Sequence, residues 1–392
     1  MKSPFGARPP SYDAQAINDT IQRALASAGL DTSTGPMRDV TDTIRRALDP
    51  AGASEAGARA TQSATVFDVE ATVVDSVADT AEATTEATTE ASVQAPGKFI
   101  KHEFRHSAGV RPYKLYTPTR VVDEPPLLVM LHGCTQSADD FAVGTRMNRL
   151  ADEHGFLVVY PEQTAQANSS KCWNWFRPQD QARDAGEPVL IAGIVREVAG
   201  RHGVAPRQVF VAGLSAGAAM AVVMGETYPE LFAGVGAHSG LPFGSAQDVA
   251  SAMATMKGGR SGMPGLKDLP ARPAASNRAA ARAVPTIVFH GDRDHTVQQT
   301  NATEIVKQAR SAHQAAAGGG NLTESTQTGE ARGRRYTCTV HTDASGRRVI
   351  ESWVLHGAGH AWSGGDARGS YADGAGPDAS AEMVRFFLAL SR

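Results

Sequence analysis

A chain of 392 residues, 41% hydrophobic and 20% charged, is long enough to bury a full core as one large domain or two ordinary ones. A net charge of −3 argues against nucleic acid or an acidic membrane face as partner, and no apolar run reaches the length of a membrane span. The start, MKSPFGARPPSYDAQ, lacks the basic and apolar regions of a secretory signal, so the chain is expected in the cytoplasm.

In chain order, INDTIQRALASAG (17–29) recurs as VTDTIRRALDPAG (40–52). Ile17, Ile21 and Leu25 fall on one helical face, Val40, Ile44 and Leu48 repeat it, and each copy ends in a helix-stopping Gly. Residues 1–53 are therefore expected as a short amphipathic helical repeat, either a loose hairpin or an arm that binds another subunit or an apolar surface. Residues 54–97 include ADTAEATTEATTEAS (78–92), acidic and poor in large apolar residues, and are expected as a disordered linker.

From residue 98 to the end, short apolar runs alternate with helical patterns. LLVMLH (127–132), FLVVY (156–160), QVFVAG (208–213), GVGAHS (234–239), PTIVFH (285–290) and VIESWVL (349–355) read as strands buried on both faces of a parallel sheet. Helical patterns lie near 138–154, 187–202, 215–228, 298–314 and 378–390, the last opened by Pro377 and Asp378. This alternation predicts a doubly wound α/β domain. Gly244 to Arg282 is rich in Gly, Ala and Pro and is expected to be a mobile insertion over one edge of the site.

The three cysteines, Cys134, Cys172 and Cys338, do not have zinc-ligand spacing, and no metal or organic cofactor is expected. In a cytosolic setting all three are expected to be free thiols, with a Cys134–Cys172 bridge as the alternative.

The chemistry centres on Gly213-Leu214-Ser215-Ala216-Gly217, a G-x-S-x-G pattern that follows an apolar strand and opens an Ala/Met/Val helix. Small flanking residues permit the tight turn that exposes a nucleophilic serine, and the helix N-terminus favours developing negative charge. A serine needs a base and the base an orienting acid, in the chain order Ser, acid, His. FHGDRDHTV offers Asp292 and Asp294 at a strand end, and spacing does not choose between them. His360 in LHGAGHAWSGG sits in a Gly-rich loop suited to the base, and His356 is expected to be structural. His313 and His341 are expected at the surface. The oxyanion would be met by the N–H of Ala216 and by that of Cys134 in LHGCTQS.

LHGCTQSADDFA, PEQTAQANSSKCWNWF, VAGLSAGAAMA, AHSGLPFG, VFHGDRDHTV and HGAGHAWSGG together resemble the catalytic domain of poly(3-hydroxybutyrate) depolymerases, whose core feruloyl and acetylxylan esterases share. The resemblance covers residues 100–390 and implies an α/β-hydrolase fold with Ser215, Asp294 and His360 as the triad. Asp294 matches the Asp of the family's D-x-x-V pattern. Cys134 is implied in the oxyanion hole, and Trp173, Trp175 and Trp362 as the lining of an apolar acyl cleft. The implied substrate is poly(3-hydroxybutyrate) or short hydroxyalkanoate oligomers, with a carbohydrate esterase or a non-catalytic granule-associated protein as alternatives. With no signal visible, the chain looks more like the intracellular variants, and its N-terminal helices would meet a granule surface or another copy.

Overall fold

A computed structural model describes residues 97–258, 282–318 and 320–391. The expected N-terminal repeat, the acidic segment up to residue 96 and most of the 244–282 insertion lie outside the described residues.

The strands are β1 (Lys98–His106), β2 (Gly109–Thr117), β3 (Leu127–Leu131), β4 (Leu157–Pro161), β5 (Val209–Leu214), β6 (Gly234–His238), β7 (Thr286–Gly291), β8 (Thr323–Ala331), β9 (Arg334–Thr342) and β10 (Arg348–Leu355). They form one ten-stranded sheet in the order β1-β2-β4-β3-β5-β6-β7-β10-β9-β8. The run from β4 to β10 in that order is parallel, and the antiparallel hairpins β1–β2 and β8–β9 extend its two edges. Those six parallel strands are the six read from the sequence. Every residue of β3 is buried, and alternate side chains serve opposite layers: Leu127, Val129 and Leu131 one core, Leu128 and Met130 the other.

Helices α1 (Ala138–Thr145), α2 (Met147–His154), α3 (Gly186–His202), α4 (Ala216–Thr227), α5 (Val249–Met256), α6 (Thr300–Ala316) and α7 (Ala379–Leu390) cover both faces. On one side α3, α4 and α6 contribute Ile191, Val195, Met220 and Ile305; on the other α1, α2 and α7 contribute Phe141, Met147, Met383 and Phe387. Helix α4 is apolar nearly all round and almost wholly buried, as a helix under the centre of a sheet must be.

The single helix expected over 138–154 is two. Arg146 takes a left-handed conformation (φ 54°), ends α1 and starts α2. Its guanidinium reaches Gly364 O and, at 3.1 Å, Asp378, so contacts distant in sequence hold a break that periodicity does not show. Asp378 also caps α7 by accepting from Ala381 N at 3.1 Å, which agrees with the expected helix start.

Candidate active site

Ser215 stands between β5 and α4 with φ 57° and ψ −120°, a conformation costing a non-glycine residue about 1–3 kcal/mol. Its N–H donates to His238 O at 2.9 Å and its carbonyl accepts from Ala219 N at 3.0 Å, so the turn is held from both sides. The flanking glycines are steric necessities. A Cβ on Gly217 would lie 2.0 Å from Leu131 O, and one on Gly213 would lie 2.4 Å from the Gly217 carbonyl carbon. Helix α4 therefore crosses the end of β3 at a separation only glycine allows.

After β7, the two aspartates take different histidines. Asp294 Oδ2 accepts from His360 Nδ1 at 2.6 Å, while its Oδ1 accepts the N–H groups of Thr296 (2.9 Å) and Val297 (2.8 Å). Burial pushes the Asp294 carboxyl up, but the His360 hydrogen bond and charge and the Val297 N–H outweigh it and hold it below the usual carboxylate value. Asp292 binds His356 Nδ1 at 2.9 Å and Gly357 N at 2.7 Å, and His356 Nε2 meets Thr337 Oγ1 at 2.9 Å. The Asp292–His356 pair ties down the start of the loop that carries His360. Among the described residues, the hydrogen bond of the His360 ring is the one from Nδ1 to Asp294, and none joins it to Ser215 Oγ; such contacts commonly tighten when substrate binds.

His238, unremarked in the sequence, joins the two halves of the site. Its carbonyl receives the Ser215 N–H, and its Nε2 accepts from Ser363 N at 3.1 Å, just past His360. The ring is fully buried and stacks on Trp362, and burial with the nearby His290 and His360 charges pushes its pKa down to about 3. It is thus neutral, with Nδ1–H left to face Ser239 Oγ at 3.2 Å.

The third part is the loop after β3. His132 is buried and held near pKa 4, chiefly by desolvation; its Nδ1 donates to Gly133 O and its Nε2 accepts from Gln163 N at 3.0 Å. Gly133 N donates to Gln136 Oε1 at 2.8 Å, and Thr135 N to Ser170 O at 2.8 Å. Cys134 between them is joined to Cys172 by a disulfide, which corrects the expectation of three free thiols; Cys338 is free and buried. Among the described residues, the N–H groups of Cys134 and Ala216 donate to no protein acceptor. Beneath this loop lies a buried polar set. Glu187 accepts from Gln163 Nε2, from Asn174 Nδ2 and from Asn174 N (each Asn174 bond 2.8 Å), and donates its own N–H to Asp180 at 2.7 Å.

The structure corrects other expectations. Trp173, Trp175 and Trp362 are 0, 5 and 1% exposed and belong to the packed cores, so they do not line an open cleft. Trp173 Nε1 donates to His132 O at 3.0 Å and Trp362 Nε1 to Ser380 Oγ at 3.0 Å: both brace the loops that carry the site. His313 and His341 are buried rather than at the surface. A cavity of about 470 Å³ between α4 and α6, lined by Val222, Val235, Ile305 and Ala309, involves none of the residues that surround Ser215.

A parallel sheet with a strained serine between β5 and its helix, and an Asp–His pair after later strands, defines an α/β-hydrolase. The chain belongs to the esterase PHB depolymerase family, whose pattern matches residues 111–334. It is 34% identical over 246 residues to poly(3-hydroxyalkanoate) depolymerase C of Paucimonas lemoignei, covering 62% of this chain and 57% of that one. To poly(3-hydroxybutyrate) depolymerase of Ralstonia pickettii it is 28% identical over 256 residues, covering 63% and 50%. The chain thus spans about half the length of these curated relatives. An acetyl xylan esterase from Aspergillus awamori shares the fold, with a TM-score of 0.57 at 20% identity, over 74% of this chain and 99% of that one.

Proposed function

We propose that this chain is a serine esterase that hydrolyses the ester bonds of poly(3-hydroxybutyrate) or its short oligomers. The observation that carries the proposal is the 2.6 Å Asp294–His360 bond at the C-terminal ends of the parallel strands, the same end at which Ser215 stands in its strained turn. Ser215 attacks the ester carbonyl as His360 takes its proton, and Asp294 fixes Nδ1–H so that Nε2 is the basic nitrogen. The unengaged N–H groups of Cys134 and Ala216 receive the oxyanion. His360 then protonates the leaving alcohol, and water releases the hydroxy acid by the reverse path.

The choice of polyester over a plant-wall ester rests on the names of the two depolymerase relatives, each matching over 60% of this chain. Release of 3-hydroxybutyrate from amorphous polymer granules, compared between wild type and Ser215→Ala, tests it. Release by wild type alone is the expected result. No release by wild type that still cleaves p-nitrophenyl butyrate would keep the esterase chemistry and overturn the polymer substrate. The N-terminal repeat is proposed as the part that meets a granule or another copy, so removing residues 1–95 should weaken granule binding. Among the described residues no helix is long and apolar enough to cross a membrane. The cytoplasmic placement expected from the sequence has the Cys134–Cys172 bridge against it, because disulfides persist in oxidising compartments. Thiol alkylation of the protein taken directly from cells distinguishes the two.

A further inference from the structure

Eight large apolar side chains stand exposed among the described residues: Ile100, Val110, Val121, Val122, Val143, Val249, Met253 and Tyr371. Tyr371 is the aromatic one, and its ring meets that of His360 edge to face, with centroids 6.4 Å apart and planes at 78°. It is 48% exposed, and its hydroxyl has no hydrogen-bond partner among the described residues, so its ring is not held by a polar anchor.

The backbone, by contrast, is held firmly. Tyr371 has φ 51°, uncommon for a bulky residue and a mark of a conformation imposed by its surroundings. Its carbonyl accepts from Trp362 N at 2.7 Å, and Ala372 pairs with Trp362 in a short parallel ladder, β11 (Trp362–Ser363) with β12 (Ala372–Asp373). On the other side, Ser370 N donates to Asp140 Oδ1 at 2.8 Å, and Ser370 O accepts from Gln136 Nε2 at 2.8 Å. The Oε1 of the same Gln136 receives the Gly133 N–H. Gly369 lies so close to α1 that a Cβ there would sit 2.4 Å from Gly144 N. One loop is therefore fixed both to the segment carrying His360 and to the loop carrying Cys134, and from a strained backbone it holds a half-exposed aromatic ring beside the imidazole.

We propose that Tyr371 is a substrate-binding residue whose ring packs against the aliphatic hydroxyacyl unit on the leaving-alcohol side of the scissile ester. This rests on the esterase reading of Ser215, Asp294 and His360. The imidazole must deliver its proton to the leaving oxygen, so a ring in contact with that imidazole borders the alcohol portion of the substrate. An aromatic face packs on methyl and methylene groups without needing a partner for its hydroxyl. Tyr371 thus selects esters whose alcohol is itself a hydroxyacyl chain over esters of a small alcohol.

The test compares wild type, Tyr371→Asn and Tyr371→Phe on the linear trimer of 3-hydroxybutyrate and on methyl 3-hydroxybutyrate. Asn tolerates the left-handed backbone and removes the ring, so the loop is preserved. The trimer-over-methyl-ester ratio of kcat/KM is expected to fall about tenfold in Tyr371→Asn, mainly through KM for the trimer, and to persist in Tyr371→Phe. A ratio unchanged within twofold, or a loss confined to kcat and equal for both esters, overturns the proposal. Calorimetric binding of the trimer to Ser215→Ala, with and without Tyr371→Asn, reads the same contact without turnover. If wild type cleaves neither ester but the trimer binds about tenfold more weakly without the ring, the esterase reading falls and the contact stands. Equal binding with and without the ring, or no binding to either, overturns it.

Discussion

Asp292 and Asp294 come from one short loop and look alike in sequence, yet they hold different histidines under different conditions. Asp294 is buried and saturated with donors, two backbone N–H groups on one oxygen and His360 on the other. Asp292 is part-exposed and holds His356 and Gly357 N. Replacing Asp294 with Asn keeps the shape but offers an N–H or a weaker acceptor to His360, which can then present the wrong tautomer. Asp294→Asn should lower kcat on p-nitrophenyl butyrate by roughly 10⁴. Asp292→Asn, which only loosens the start of the His360 loop, should lower it by less than about tenfold. Steady-state kinetics of the two variants decide the matter, and the opposite order would make Asp292 the orienting acid.

Among the elements, the loop from Gly133 to Thr135 depends most on distant support. The disulfide to Cys172, the Ser170 carbonyl and Gln136 hold it, and a chain separation of 38 residues is closed by that bridge. The paired exchange Cys134→Ser with Cys172→Ser should cost about 3–4 kcal/mol in urea unfolding. It should also lower kcat about tenfold, since a loosened Cys134 N–H meets the oxyanion less well. Lost stability with kcat intact would show that the Ser170 and Gln136 bonds position the Cys134 N–H without the bridge. The elements also show what sequence conveys. Five of the six parallel strands were legible because burial on both faces makes them largely apolar runs, and β10 was legible from the apolar residues on either side of Glu351 and Ser352. The edge strand β8, TESTQTGEA, is polar and mostly exposed; its strand state comes from pairing with β9, which no local pattern records. The serine turn was legible because its glycines answer a local steric demand. Tyr371 was not, because its backbone strain and its contact with His360 arise only from tertiary packing. The three tryptophans announced large apolar anchors, but a sequence does not say whether such a ring faces substrate or core.

At the scale of the whole molecule, the fold carries a buried polar layer beneath the Cys134 loop, and that layer links global stability to pH. Asp180 is buried, and burial followed by the Glu187 charge raises its pKa from 3.8 to about 6, against the opposing Glu187 N–H bond and the Arg177 and Arg111 charges. Folding therefore takes up a proton at Asp180 between those two values. The associated stabilisation is complete below about pH 4 and is lost as pH rises through about 6. Asp294 acts with the opposite sign: its lowered pKa adds stability above the ordinary carboxylate range, lost as pH falls through its folded value. A comparison of wild type with Asp180→Asn cancels the Asp294 contribution, since both proteins carry it, and isolates the other. The Asn keeps an Oδ1 acceptor for the Glu187 N–H while removing the buried charge. Its stability relative to wild type should improve from pH 4 to pH 7 by on the order of 1–2 kcal/mol, after allowance for solvent screening. Urea unfolding at pH 4, 5, 6 and 7 measures that difference. A difference that does not change with pH would mean that Asp180 titrates no differently in the folded and unfolded chain, and that the buried layer bears its charge without cost.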